Sequence, residues 1–448
     1  MKKVFDGWVT STVEEFSSDI LKIQPLVNAV QKVYPGFYRI ENESFRSDTG
    51  NDGLLFDYNG LGHASAERLF VLENMQKLGI SRTANNQSHY DKGTPSAIDS
   101  FLGVRFLISE NDLNEEKGYS YLSGGLGLKL FENPYVLPIA ILSNEAIMDV
   151  SLEEETDVFA IQNRIWKCMT GGKEDVFTEE TNLNYVTGNP TDSLDLSRGT
   201  VLELLAELDN EDSEEPPEFV KDMFPYIEFS FTAEQNAPVY LYYTYGYIEG
   251  FGTRNDLLQY VGTYQRGEAV SSKLYFSDEI TKEAFFEIVK NLHVCYANMD
   301  TLKEYSSILQ GRDATVYKDS DSRLFGNVTA EDGQRLLFTV PYDENWTLWL
   351  DGTPLELEKT MDLFMSVELP AGTHHYELRF WPGGLTLGFY FSGTALSALI
   401  AVCVCYSIRK RRNKKQRELL ETFSAQQELL AADELAVVEV SVGTDPEK

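Results

Sequence analysis

Leu385 to Ile408 reads LTLGFYFSGTALSALIAVCVCYSI, 24 residues without a charged side chain. At 1.5 Å per residue this exceeds the roughly 20 residues needed to cross the hydrocarbon of a bilayer. Its flanks match that reading. Phe380 and Trp381 precede it, where aromatic rings favour the membrane interface. RKRRNKKQR (Arg409 to Arg417) follows, with seven basic residues in nine. The excess of Lys and Arg assigns that end to the cytoplasm. The sequence therefore predicts a transmembrane helix over 385–408, residues 1–384 outside the cell, and a cytoplasmic tail over 409–448.

The charge distribution agrees. The chain has 448 residues and a formal charge of −33. Residues 409–448 hold eight basic and eight acidic side chains, so the whole excess lies on 1–384, with 30 basic and 63 acidic. A nucleic-acid partner is excluded, because backbone phosphates require a basic face. Arg409, Lys410, Arg411, Arg412, Lys414, Lys415 and Arg417, with Trp381 at the other end, are the predicted contacts to membrane lipids. A large outer domain needs an export signal, yet MKKVFDGWVTSTVEEF contains no apolar run of signal-peptide length. The expectation is a chain that continues a larger membrane protein whose earlier helices lie upstream. The alternative is an internal protein with a C-terminal tail anchor.

Along the outer part, Val9, Val13, Phe16, Ile20, Ile23, Val27 and Val30 form a helical apolar stripe over residues 1–35. Pro25 predicts its division into two shorter helices. Residues 36–205 read as an α/β part. GFYRIE (36–41) and GLLFDYNG (53–60) look like strands, Ser65 to Leu78 like a helix capped by Ser65 and stopped by Gly79. Phe101 to Ile108 and Tyr135 to Leu142 have the apolar character of a sheet buried on both faces. DNEDSEEPPE marks an acidic linker or loop within 206–220. Residues 221–384 are rich in alternating, aromatic strands: YIEFSFTA, PVYLYYTYGYI, SSKLYFS, and then RLLFTVPY, WTLWLDGT, LFMSVELPAG and HHYELRFWP at short intervals. Thr281 to Leu292 fits a helix or a strand. The fold class is α+β to mainly β: an N-terminal α/β part, a C-terminal β-sandwich next to the membrane, one transmembrane helix and a short tail whose Leu419, Leu420, Phe423, Leu429 and Leu430 suggest an amphipathic helix with a disordered end.

Chemistry is sparse. The five histidines are isolated or, as His374 and His375, adjacent in a strand and so on opposite faces. HExxH, CxxC, a P-loop and G-x-S-x-G are all absent. The prediction is no catalytic residue, no metal site and no cofactor in this chain. Cys168 and Cys295 read as buried thiols, with a disulfide as the alternative. The acidic run 209–218 lacks the order of a calcium loop and reads as solvated. Tyr240, Tyr242, Tyr243, Tyr245 and Tyr247 read as core, with a sugar-stacking face as the alternative. Trp346 and Trp349, three apart, point to opposite faces of a strand, so at most one is available to bind.

The closing segment, LFGNVTAEDGQRLLFTVPYDENWTLWLDGTPLEL followed by LFMSVELPAGTHHYELRFWPGGLTLG and the apolar helix, resembles the C-terminal end of YfhO-type bacterial membrane proteins. The matching positions are Pro341, Tyr342, Trp346, Asp351, Gly352, Gly372, His374, Pro382, Leu385 and Gly388. Earlier segments fit the same family in order: FYRIE, YNGL, KLG, DSFLGVRFLIS and ENPYVLPIA. The resemblance implies a multi-span glycosyltransferase that takes sugar from a polyprenyl phosphate and decorates cell-surface polymers such as teichoic acids. It also implies a catalytic carboxylate on an early outer loop that this chain does not contain. On this reading the chain's work is recognition of sugar or glycopolymer. Tyr342, Trp346, Trp349 and Asp351 are the candidate sugar-binding residues. The competing expectation is a membrane-anchored carbohydrate-binding or structural module without enzymatic activity.

Overall fold

The computed structural model describes residues 13–44, 52–62, 69–83, 87–90, 93–155, 157–187, 194–197, 226–244, 256–275 and 292–442. The chain divides into two compact units, Met1–Phe380 and Trp381–Lys448. The expected acidic linker at 206–220, the Ser65 cap and the 281–291 element lie outside the described residues.

The first unit opens with one continuous helix, Val13–Val33, rather than two. Pro25 sits on its exposed side, so the carbonyl it leaves unpaired faces water. The opposite side buries Ile23, Leu26, Val27 and Val30 against Ile40, Phe106, Ile108, Leu128 and Leu130. That packing holds the helix together across the proline. The helix covers one face of a four-stranded sheet ordered Arg39–Asn42, Val104–Ser109, Leu128–Glu132, Ser120–Gly125. The first pair is parallel and the rest antiparallel. Leu107 and Phe131 point the other way, into the main core around Phe101, Trp166 and Tyr240. Alternate residues of one strand thus serve two cores, which is why FLGVRFLI reads as continuously apolar.

Two local expectations change. Asp52–Phe56 is one helical turn, not a strand. Phe56 is driven into the core under the first helix, and buried Asp52 accepts a hydrogen bond from Asn42 Nδ2 at 2.8 Å. Phe101 ends a short helix, Ser96–Phe101, and the strand begins only at Val104. Gly103 makes the reversal with φ +72°, and a Cβ there would lie 2.6 Å from Ile139 Cδ1. The expected helix at 65–78 is described over Leu69–Lys77, and Gly79 stops it at φ +100°.

Two further four-stranded sheets follow. One is ordered Leu194–Ser197, Asn184–Thr187, Tyr226–Thr232, Ala269–Tyr275. The other is ordered Asp256–Tyr264, Ala237–Thr244, His293–Ala297, Phe177–Glu179. Tyr240 and Tyr242 are buried in the core from this second sheet. Cys168 and Cys295 are both thiols.

The last pair of sheets shares one apolar core. A five-stranded sheet is ordered Tyr317–Ser320, Arg323–Ala330, Gly372–Phe380, Trp346–Leu350, Thr353–Leu355. A four-stranded sheet is ordered Glu358–Thr360, Phe364–Glu368, Gln334–Phe338, Ala140–Asn144. Val328, Leu348, Tyr376 and Leu378 from the first meet Leu142, Leu336, Phe338 and Met365 from the second. Ala140–Asn144 arrives from the N-terminal half of the chain and pairs with Gln334–Phe338. The first unit is therefore stitched together by a strand from far upstream.

The second unit is a single helix, Leu385–Val442, 58 residues long. One stretch of it is apolar and long enough to cross a membrane. The basic run and the following segment continue the same helix instead of forming a separate one. After Gly393 the next glycine is Gly443, with no proline between, and Lys, Arg, Gln, Glu, Leu and Ala sustain the helix.

Candidate functional site

The four residues expected to hold sugar are used in three different ways. Trp346, Leu348 and Leu350 share the inward face of their strand, and Trp346 packs on the shared core with its ring 4.9 Å from that of Phe380. Tyr342 also packs there, and its N–H donates to the Leu363 carbonyl at 2.7 Å. Asp351 makes a turn with Gly352, both at positive φ (49° and 82°). Its carboxylate bonds His374 Nδ1 at 2.7 Å and the His375 N–H at 2.9 Å. These bonds hold the Asp351 carboxyl below the ordinary carboxylate range, the His374 contact first. Trp349 alone lies on the outer face, half-buried, with the Arg379 guanidinium 5.5 Å from its ring centroid.

Strand register adds neighbours to Trp349 that the sequence did not single out. Trp349 stands opposite Glu377, Glu377 opposite Phe325, and Phe325 opposite Tyr317. Arg379 stands opposite Arg323 one step along. Glu377 Oε2 accepts from Arg379 Nε at 2.9 Å and from Arg323 Nε at 3.3 Å. Arg323 Nη1 reaches Asp319 Oδ2 at 2.6 Å. The two arginines lower the Glu377 carboxyl, Arg379 most. The only sequence signal for this face was the alternation Arg323, Phe325, Asn327; the register that joins it to Trp349 is non-local.

A second polar cluster lies buried between the first sheet and the 237–264 strands. Glu41, Glu43, Asp52 and Asp99 are each 5% exposed or less. Asp99 Oδ2 accepts from Tyr90 Oη at 2.6 Å and from Tyr119 Oη. Asp99 Oδ1 and Tyr240 Oη have no hydrogen-bond partner among the described residues. Glu41 accepts from the Leu61 N–H. Lys117 Nζ lies 3.4 Å from Glu43 Oε1, with both side chains buried. Arg39 donates to the Thr339 carbonyl at 2.7 Å and to the Leu102 carbonyl. Desolvation pushes the Asp99 carboxyl up to about 7 and the Glu41 carboxyl up to about 8. It also lowers the Arg39 guanidinium to about 10. Burial thus favours the protonated forms of Asp99 and Glu41. The cluster's carboxyls are closed off from solvent. The clue in the sequence was acidic residues inside apolar strand and helix segments (RIENE, SAIDSF), which burial alone turns into a network.

In the second unit, Trp381 is 56% exposed and its Nε1–H donates to Thr386 Oγ1 at 2.9 Å. At about 100° per residue, the seven cations from Arg409 to Arg417 surround the helix on all sides. That is a collar, suited to a helix passing through a charged surface rather than lying along it. Among the described residues, no three His, Cys, Asp or Glu side chains are grouped to hold a metal ion.

The described residues hold mixed sheets followed by one helix long and apolar enough to cross a membrane. The sequence model described as "Bacterial membrane protein YfhO" matches residues 1–392, and the chain belongs to that family. None of the curated proteins compared with it matches. Among solved structures, a conserved protein of unknown function from Pseudomonas aeruginosa is similar at 12% identity, covering 36% of this chain and 78% of that one, with a TM-score of 0.12. A similarity at that level carries no argument about fold or function.

Proposed function

We propose that residues 1–384 are the extracytoplasmic part of a YfhO-type membrane glycosyltransferase that modifies cell-surface polymers, with 385–408 crossing the membrane and 409–448 in the cytoplasm. The observation that supports it most is family membership over residues 1–392 combined with the uncharged helix and its basic collar. The paired sheets, read as a β-sandwich, suit a soluble domain that contacts polymer. Bond making belongs to a multi-span portion carrying a carboxylate on an outer loop, and this chain supports that core and recognises the acceptor. The test is sugar transfer in isolated membranes from a labelled polyprenyl-phosphate donor, with and without this chain. Loss of transfer on its removal supports the reading; unchanged transfer and unchanged polymer sugar content contradict it.

A second reading, a membrane-anchored binding module without enzymatic activity, is favoured by one observation: Glu41, Glu43, Asp52 and Asp99 are all buried. Polymer binding that persists while no transfer depends on the chain selects this reading.

A further inference from the structure

The outer face of the five-stranded sheet has an organisation that its structural role does not require. Across three strand spacings, about 14 Å, the register sets Tyr317, Phe325, Glu377 and Trp349 in one row. Tyr317 is 45% exposed, and its ring stacks beside that of Phe325 at 5.7 Å and 30°. Planar charged groups lie among the rings: Arg323 near Phe325 at 5.4 Å, Arg379 near Trp349 at 5.5 Å, and Glu377 between. Glu377 Oε2 collects the arginine hydrogen bonds, and His375 Nε2 lies 3.8 Å from Oε1, beyond hydrogen-bond distance. The face thus offers aromatic surfaces together with fixed donors and a carboxylate acceptor. Two arginines against Glu377 and Asp319 make it locally neutral on a chain of charge −33. An anionic polymer would be repelled by the surroundings and would find no net positive charge here. A cationic one would find Glu377 and Asp319 already held by the arginines. Neutral, ring-shaped and polyhydroxylated is the chemistry that matches: C–H faces of sugar rings stack on the aromatics, and hydroxyls bond the carboxylate and guanidinium groups.

We propose that this face binds an uncharged oligosaccharide, with Tyr317, Phe325 and Trp349 as the stacking row and Arg323, Glu377 and Arg379 as the hydroxyl-binding groups. It deepens the proposed function and rests on it only in that the face must meet glycan outside the cell. The purified protein reports binding whichever way it is oriented, so the two can fail separately.

The experiment uses the full chain in lipid nanodiscs and titrates cello-, malto-, chito- and xylotetraose, with heparin tetrasaccharide as the charged comparison. Saturable binding of at least one neutral tetrasaccharide is expected, at least tenfold tighter than the heparin fragment. Trp349→Ala and Phe325→Ala should each weaken it tenfold or more, with thermal unfolding checked for each. Glu377→Gln, which keeps the side-chain shape, should weaken it severalfold. Saturation-transfer NMR should show the sugar C–H protons receiving magnetisation from the native protein and not from Trp349→Ala. The proposal is overturned by absence of neutral binding at millimolar sugar, by preference for the heparin fragment, by binding indifferent to Trp349 and Phe325 in folded variants, or by Trp349→Ala dissolving a dimer of this chain instead.

Discussion

The buried carboxyl of Asp99 makes the stability of the outer domain depend on pH in an unusual direction. Its ordinary value is 3.8 and burial raises it to about 7, ahead of the opposing hydrogen bonds from Tyr119 and Tyr90. Below pH 4 both folded and unfolded chains hold this proton. As pH rises, the unfolded chain releases it first, so folding must take a proton up, and stability falls until pH passes about 7. Three units at about 1.4 kcal/mol each give a loss of up to about 4 kcal/mol from this one group. Asp99→Asn keeps an oxygen to accept from Tyr90 and Tyr119 and removes the titration. The new amide must itself be desolvated, at about 1–3 kcal/mol. The variant is therefore expected to be slightly less stable than the native protein near pH 4.5 and about 1–3 kcal/mol more stable at pH 7.5. Urea unfolding followed by the fluorescence of buried Trp166, at half-unit steps from pH 4.5 to 8, measures both slopes. Parallel curves, with Asp99→Asn displaced equally at every pH, would show instead that Asp99 is charged in the folded state.

Three other outcomes are expected. Lys117→Met removes the ammonium that lies 3.4 Å from buried Glu43 and should cost about 3–5 kcal/mol in denaturant unfolding, most of which Glu43→Leu in the same chain should restore. Gly103→Ala forces a side chain into φ +72° and onto Ile139, and should lower stability by about 1–3 kcal/mol, read as a fall in Tm. Replacing Arg409, Lys410, Arg411 and Arg412 with glutamine should increase the fraction of molecules inserted in the opposite orientation, measured by protease protection.

Features carried by local pattern were legible in the sequence. The uncharged 385–408 stretch, the alternating strands from 226 onward, the Asp351-Gly352 turn and the Gly79 stop all depend on neighbours a few residues away. Opposite faces for Trp346 and Trp349 follow from the two-residue strand period, but which of them faces inward depends on the partner sheet. The remaining features depend on contacts distant in sequence. DGLLF has the apolar content of a strand and becomes a helix because Asp52 and Phe56 find Asn42 and the core beneath the first helix. Ala140–Asn144 joins a sheet whose other strands begin almost two hundred residues later. The Asp99 network gathers residues from 41 to 240, and the Trp349 row needs four strands in register. Tyr342 and Trp346, candidates for sugar contact on the resemblance, pack against the shared core.

The proposed function requires the two units to occupy opposite sides of the membrane. Single cysteines at Asp332 and Gln427, both exposed, can be challenged in intact cells with a membrane-impermeant maleimide and again after permeabilisation. Labelling of Asp332→Cys in intact cells, with Gln427→Cys reactive only after permeabilisation, is the predicted result. The reverse pattern would put the large domain inside the cell and contradict the proposed function.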